Sequence, residues 1–199
     1  MLVGLLTIVY HRSSFVPCSA VSLDTKGCWV LDFQVSLMIM KKEIIEIYCD
    51  GACSGNQFKS NKGGWGAIVK RGDEEREIFG GERNTTNQRM ELTACIQALD
   101  QLPRGDVDIQ VYSDSAYLIN CMHQKWYEKW QRNGWRNAKK EPVENKDLWV
   151  NLLALVTQHK PTFNKVRGHS GIELNEQADA LAQRGIRELV QPPLVQMPE

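Results

Sequence analysis

Between Ile44 and Leu189 the apolar residues change period in a fixed order, and that order restricts the fold more than any other feature of the 199-residue chain. Ile44–Cys49 (IIEIYC) is short, β-branched and bounded by Asp50-Gly51, which predicts a strand closed by Asp50. Gly64–Lys70 predicts a second strand, and Arg71–Glu75 a turn into a third at Arg76–Gly80. Runs joined so closely pair as an antiparallel meander. The period then becomes helical: Leu92, Cys95, Ile96, Leu99 and Leu102 recur along Asn87–Leu102, which Pro103 ends. Val107, Ile109 and Val111 alternate in a fourth strand that closes at Ser113-Asp114, and Ser115–Met122 reads as a short helix. Leu148, Leu152, Leu155 and Val156 mark another helical face. Thr162–Arg167 predicts a fifth strand, and Glu173–Leu189 a last helix with Ala178, Leu181, Ala182 and Ile186 inward. The order predicts an α/β fold: a mixed five-stranded sheet, its first three strands antiparallel, flanked by helices.

Apolar residues make up 42% of the chain and charged ones 24%, which excludes a mostly disordered protein. Six cysteines form no CxxC pair, which excludes a disulfide scaffold. Lys+Arg and Asp+Glu both number 24, so a nucleic-acid partner would have to be held by a local patch. Residues 1–39 carry only Arg12, Asp24, Lys26 and Asp32 as charges. Their apolar run Leu2–Tyr10 is too short to span a bilayer, which needs about 20 residues. Two readings are open for this extension. One is a start placed too early, the natural beginning being Met38 or Met40 before Lys41-Lys42. The other is a targeting segment with Cys18-Ser19-Ala20 as its cleavage site. Either way residues 1–39 are expected to be dispensable for catalysis, which residues 40–189 would carry. Residues 190–199, with Pro192, Pro193 and Pro198, are expected to form a flexible tail.

Four carboxylates fall at informative places. Asp50 and Asp114 end strands, Glu91 lies in the first turns of a helix, and Asp179 sits inside the last helix between Ala178 and Ala180. Each alone is compatible with a solvated or dipole-favoured acid. Together, with no zinc-type Cys/His spacing, they form a set of hard oxygen ligands suited to Mg²⁺ or Mn²⁺. Two such ions about 4 Å apart hold an in-line phosphoryl displacement.

DGACSGN (Asp50–Asn56), GGWGAI, TTNQRMEL (Thr85–Leu92), YSDSAYL (Tyr112–Leu118) and VRGHSGIELNEQADALA (Val166–Ala182) resemble ribonuclease H, type 1, in its bacterial single-domain form. The likeness runs from about Met40 to Leu189. It implies the ribonuclease H-like fold and two divalent ions, Mg²⁺ with Mn²⁺ as a substitute, held by Asp50, Glu91, Asp114 and Asp179. The implied reaction is endonucleolytic cleavage of the RNA strand of an RNA·DNA hybrid, leaving 3′-hydroxyl and 5′-phosphate ends. The same resemblance implies a role for His169 in proton transfer or product departure, and an ordinary imidazole pKa suits that work. Glu176, one turn before Asp179, is expected as an outer acid beside the second ion.

An RNA-strand nuclease must detect the 2′-hydroxyl. The small-residue segment Cys53–Gly55 allows close backbone approach to a minor groove. The resemblance implies that Asn56, Asn87 and Gln88 face the hybrid, that Thr86 meets a phosphate of the DNA strand, and that Asn175 is a further backbone contact. Ala116 departs from relatives that carry Gln there, so one polar contact is in doubt. The segment 125–146 holds seven Lys/Arg, Lys139 and Lys140 among them, against Glu128, Glu141 and Glu144. It resembles the basic handle that grips the DNA strand. Its Trp126 and Trp130 can either form a satellite core or line a sugar groove. The alternatives carried are a hybrid-binding protein with a dead site and a DNA-directed nuclease on the same fold. The chain is further expected to be a cytoplasmic monomer with no membrane association.

Overall fold

The computed structural model describes residues 21–23, 29–31, 43–54, 61–105 and 107–189. The chain divides into two compact units, 1–42 and 43–199. In the first, β1 (Val21–Leu23) and β2 (Trp29–Leu31) pair as an antiparallel hairpin. The second runs β3 (Ile44–Ser54), β4 (Lys62–Arg71), β5 (Glu74–Arg83), α1 (Asn87–Asp100), β6 (Asp108–Ser113), α2 (Ala116–His123), α3 (Trp126–Arg132), α4 (Lys146–His159), β7 (Thr162–Lys165) and α5 (Glu173–Glu188). Its sheet has the order β5-β4-β3-β6-β7, with β3–β4 and β4–β5 antiparallel and β3–β6 and β6–β7 parallel. This is the mixed five-stranded sheet that the period order predicts. The tail and most of the N-terminal extension lie outside the described residues.

One face of the sheet holds the main core. Ile45, Ile47 and Cys49 of β3 and Ile109 and Val111 of β6 alternate inward and are buried. They meet Leu92, Cys95, Ile96 and Leu99 of α1, Leu118, Ile119 and Met122 of α2, and Trp149, Leu152 and Leu153 of α4. A bidentate pair, Arg89 to Asp147 at 3.0 and 2.9 Å, adds a clamp between α1 and the start of α4. Cys49, Cys53, Cys95 and Cys121 are free thiols, in keeping with a fold that needs no disulfide framework.

The first strand is longer than its local pattern predicts. Asp50-Gly51 reads as a strand end, yet β3 continues to Ser54, with Asp50 paired across from Gly66 and Cys53 across from Gly63. The glycine serves packing rather than a turn. A Cβ on Gly51 would stand 2.3 Å from the Glu91 backbone nitrogen, so α1 crosses directly over the strand there.

The opposite face of β4 is equally bare. A Cβ on Gly64 would lie 2.0 Å from Ala182 O, and one on Gly66 2.5 Å from Ala178 O and 2.6 Å from Ala182 N. From the helix side, a Cβ on Gly185 would meet Gly80 O at 2.0 Å. Helix α5 therefore lies on the sheet backbone itself. Replacing Gly66 by Ala overpacks this contact, and such insertions cost about 1–3 kcal/mol or more. Gly66→Ala is expected to lose at least about 2 kcal/mol in urea unfolding. Gly72→Ala faces open space and bears only the strain of its left-handed backbone (φ 62°), about 1–2 kcal/mol. A Gly66→Ala protein as stable as its parent would show that α5 is not seated as described.

Candidate active site

Four elements deliver the carboxylates to one place. Asp50 points from β3 to the face opposite Ile47 and Cys49, since successive strand residues alternate. Asp114 follows the last residue of β6, the parallel neighbour of β3. Two residues before each acid, Tyr48 and Tyr112 are register partners, and their rings stack at 4.6 Å. That contact fixes the two strands so that their acids emerge side by side. Glu91 enters from the second turn of α1, close to β3 because Gly51 has no side chain. Asp179 comes from α5, seated on β4 beside Gly66, the partner of Asp50.

Asp50, Glu91, Asp114 and Asp179 line one open cleft of about 430 Å³ with Gly51, Ala52, Cys53, Asn87, His169 and Gln183. Asp50 accepts from the Gly51 N–H at 2.7 Å. Burial, opposed in part by that bond and reinforced by Asp114, Asp179 and Glu91, pushes its carboxyl up to about 7. Glu91 is also raised, chiefly by burial and then by Asp114. Both of its oxygens are engaged: Asn87 Nδ2 donates to Oε1 at 2.8 Å, and Ser115 Oγ donates to Oε2. Ser115 caps α2 as well, accepting from Leu118 N–H at 3.2 Å. Four carboxylates gathered in one cleft, two of them, Asp50 and Glu91, raised chiefly by burial, are hard oxygen donors of the kind that suit divalent cations such as Mg²⁺ or Mn²⁺. Among the described residues no group of three or more His, Cys, Asp or Glu side chains stands close enough together to hold a metal ion. The four acids instead line an open cleft.

The remaining expected residues separate into groups. Cys53 and Asn87 reach the cleft, but Asn87 spends one amide hydrogen on Glu91. Thr86 and Gln88 are exposed beside it, and Thr86 is the cap of α1, accepting from Arg89 N–H at 3.2 Å. Gly55 and Asn56 lie outside the described residues. Asn175 is a correction: it is 3% exposed, because it shares the inward face of α5 with Ala178, Ala182 and Gly185. Its side chain is not presented as a hybrid contact.

Two participants escape the sequence reading. Gln183 lies one turn beyond Asp179, a spacing that places both on one helix face. Ser115 reads only as the first residue of a short helix, and only the fold brings it to Glu91.

The handle is a second concave surface, a groove of about 570 Å³. Trp126, Trp130, Lys125, Lys129, Arg132 and Arg136 contribute to its lining. The tryptophans both pack together and line the groove. Trp130 packs edge-on against the buried Trp149 at 5.7 Å and lies 6.3 Å from Trp126 and from Trp135, while Trp126 and Trp130 also form groove wall. Lys139 and Lys140 are exposed on a tight turn organised by Asn137 Oδ1, which accepts from Lys139 N–H at 2.9 Å and Glu141 N–H at 3.0 Å. No helix among the described residues is long and apolar enough to cross a membrane.

Comparison with known proteins agrees with this geometry. A family model described as RNase H matches residues 42–187. Ribonuclease H of Syntrophomonas wolfei is 52% identical over 148 residues, spanning 74% of this chain and 99% of that protein. Ribonuclease H of Chlorobaculum parvum is 48% identical over 147 residues, spanning 74% and 98%. Among solved structures, a type 1 RNase H carrying the type 2 active-site motif superposes with a TM-score of 0.65 at 28% identity, covering 75% of this chain and 74% of the other. The chain thus belongs to the ribonuclease H family, hydrolases whose endoribonuclease activity cuts the RNA strand of RNA·DNA hybrids.

Proposed function

We propose that Asp50, Glu91, Asp114 and Asp179 hold two divalent ions, Mg²⁺ in preference and Mn²⁺ as a substitute, at which the RNA strand is hydrolysed to 3′-hydroxyl and 5′-phosphate ends. The observation that carries this reading is the meeting of all four acids, His169 and Asn87 in a single cleft. The bound ions supply positive charge at the attacking and leaving oxygens of an in-line displacement. The chain does the rest. Asn87 and Ser115 hold both Glu91 oxygens in one orientation, so this ligand is set before substrate arrives. His169, exposed on its loop, moves a proton at the leaving oxygen or assists product departure. Cys53 and the β3 backbone beside it face the sugar edge, where the 2′-hydroxyl distinguishes RNA. The handle groove tracks the DNA strand, with Trp126 and Trp130 as its apolar wall, and Lys139 and Lys140 on the adjoining turn serve as phosphate contacts. One RNase H solved structure, 22% identical to this chain, is of a complex with an RNA/DNA hybrid, which supports the same partner here. The protein acts as a cytoplasmic monomer, and residues 40–189 suffice for cleavage. A chain starting at Met40 is expected to cut hybrids as well as the full one, and lost cleavage would place the extension in the domain.

The site's acids yield two expected outcomes. Asp50→Asn lowers cleavage by several orders of magnitude while hybrid binding, read by gel shift, persists; His169→Ala costs roughly 10²-fold. Near-normal turnover in Asp50→Asn would contradict the ion assignment. The second outcome concerns pH. Asp50 binds its proton more tightly folded than unfolded, so in EDTA its contribution to stability is fully present at low pH and is lost as pH rises from about 4 through about 7. A shift from the ordinary 3.8 to about 7 corresponds to a few kcal/mol. Asp50→Asn should therefore melt higher than its parent in EDTA at pH 8, the gap closing towards pH 4. Parallel melting curves across that range would mean that Asp50 is not under electrostatic stress.

For the handle, each neutralised phosphate contributes roughly 0.7–0.9 to the slope of log K against log salt. Lys139→Ala with Lys140→Ala should raise KM most at low salt and flatten the slope by up to about 1.5, with kcat little changed. An unaltered slope would make these lysines surface solvation only.

A further inference from the structure

The loop between β7 and α5 carries His169, and its two ends are fastened differently. At its start Val166 N–H donates to Ser113 O at 3.1 Å, and Gly168 lies so near Asp114 that a Cβ would stand 2.4 Å from Oδ2. In the middle His169 has a left-handed backbone (φ 51°), as does Gly171 (φ 80°). That conformation is strained for a residue with a β-carbon and persists only where the surroundings impose it. Ser170 Oγ donates to Arg167 O at 2.6 Å, a contact wholly inside the loop. At the far end one side chain ties the loop to α5: Gly171 N–H donates to Glu176 Oε1 at 3.0 Å.

The local reason is the cap of α5. Ile172 occupies the N-cap position and has no side-chain oxygen to offer the first helical N–H groups. In a capping box an acid at the third helical position reaches back to the N-cap N–H. Glu176, at the fourth, reaches one residue further out, to the N–H two residues after His169. Its charge is also favoured in the first turn. Glu176 does not line the cleft, and one of its oxygens is committed to Gly171.

We infer that Glu176 is a positioning residue for His169, holding the loop through an acceptor oxygen rather than acting on the ions through its charge. The inference rests on the reading of His169 as the proton-transfer group. It separates two properties of one side chain, because Gln keeps the acceptor and loses the charge.

The test compares Glu176→Ala, Glu176→Gln, His169→Ala and the Glu176→Ala/His169→Ala pair on a saturating labelled hybrid. Glu176→Ala is expected to lower kcat about five- to tenfold, the loss of one charge-assisted hydrogen bond from the competent loop. KM should stay within about twofold of the parent, since phosphate contacts are untouched, and the melting temperature should fall by no more than the few degrees that a lost helix cap costs. Glu176→Gln should restore most of the turnover, with the Mg²⁺ concentration for half-maximal rate the same in all three proteins. In the His169→Ala background Glu176→Ala should add nothing. In the metal-free protein, the His169 Cε1–H proton resonance should shift in Glu176→Ala and stay near its parent position in Glu176→Gln. The inference is overturned if Glu176→Gln is as impaired as Glu176→Ala and needs more Mg²⁺, which would mark a charge acting on the ions. It is equally overturned by additive losses in the double variant, or by an unchanged kcat and resonance in Glu176→Ala while His169→Ala is slow. A silent His169→Ala would instead remove the proton-transfer reading, and the inference with it.

Discussion

Two helices can lie directly on the sheet backbone only because side chains are missing where they cross, and the site depends on that closeness. Gly51 lets α1 cross β3, while Gly64, Gly66 and Gly185 let α5 sit on β4 and against β5. Asp50, in β3, is the cross-strand partner of Gly66. The clearance that admits Asp179 from one side and Glu91 from the other is thus built around the central acid. Any β-carbon in these gaps would push a helix outward by more than the tolerance of an oriented ligand set, about 0.5 Å.

What this packing assembles is electrostatically unfavourable by itself. Burial and three neighbouring carboxylates push the Asp50 carboxyl up to about 7, towards neutrality. The hydrophobic core on the other face of the sheet carries that cost, through the buried side chains of β3, β6, α1, α2 and α4. Hydrogen bonds then decide which acid is fixed. Glu91 has both oxygens engaged by Asn87 and Ser115, whereas Asp50 has a single backbone donor. The four acids thus combine a member fixed by two donors with one whose carboxyl is pushed up to about 7.

Much of this was legible in the residues, for reasons that can be stated. Asp114 announces itself because Val107, Ile109 and Val111 alternate up to it and a short helix follows. Asp179 stands out as an acid beside the small inward residues of a strongly patterned helix. Asp50 reads as a strand terminator, since Asp-Gly is ordinarily a turn signal and a packing glycine looks the same in one dimension. The amide of Asn175 suggests a polar contact, but its spacing from Ala178 and Ala182 puts it on the inward face. Gln183 and the link from Ser115 to Glu91 were invisible for different reasons. A glutamine on a helix has no signature, and the Ser115–Glu91 contact joins residues 24 apart in the chain. The handle was visible as charge, while the packing of Trp130 on Trp149 needed the fold.

The central claim is that hard-cation chemistry in one cleft cuts the RNA strand of a hybrid. Its most direct test is one gel on which each strand of an RNA·DNA hybrid is labelled in turn, beside matched RNA·RNA and DNA·DNA duplexes, with Mg²⁺ or with EDTA. Cleavage of the RNA strand of the hybrid alone, with 5′-phosphate products and only with Mg²⁺, is the expected result. Cleavage of the DNA strand, of either homoduplex at a comparable rate, or of any substrate in EDTA would contradict it.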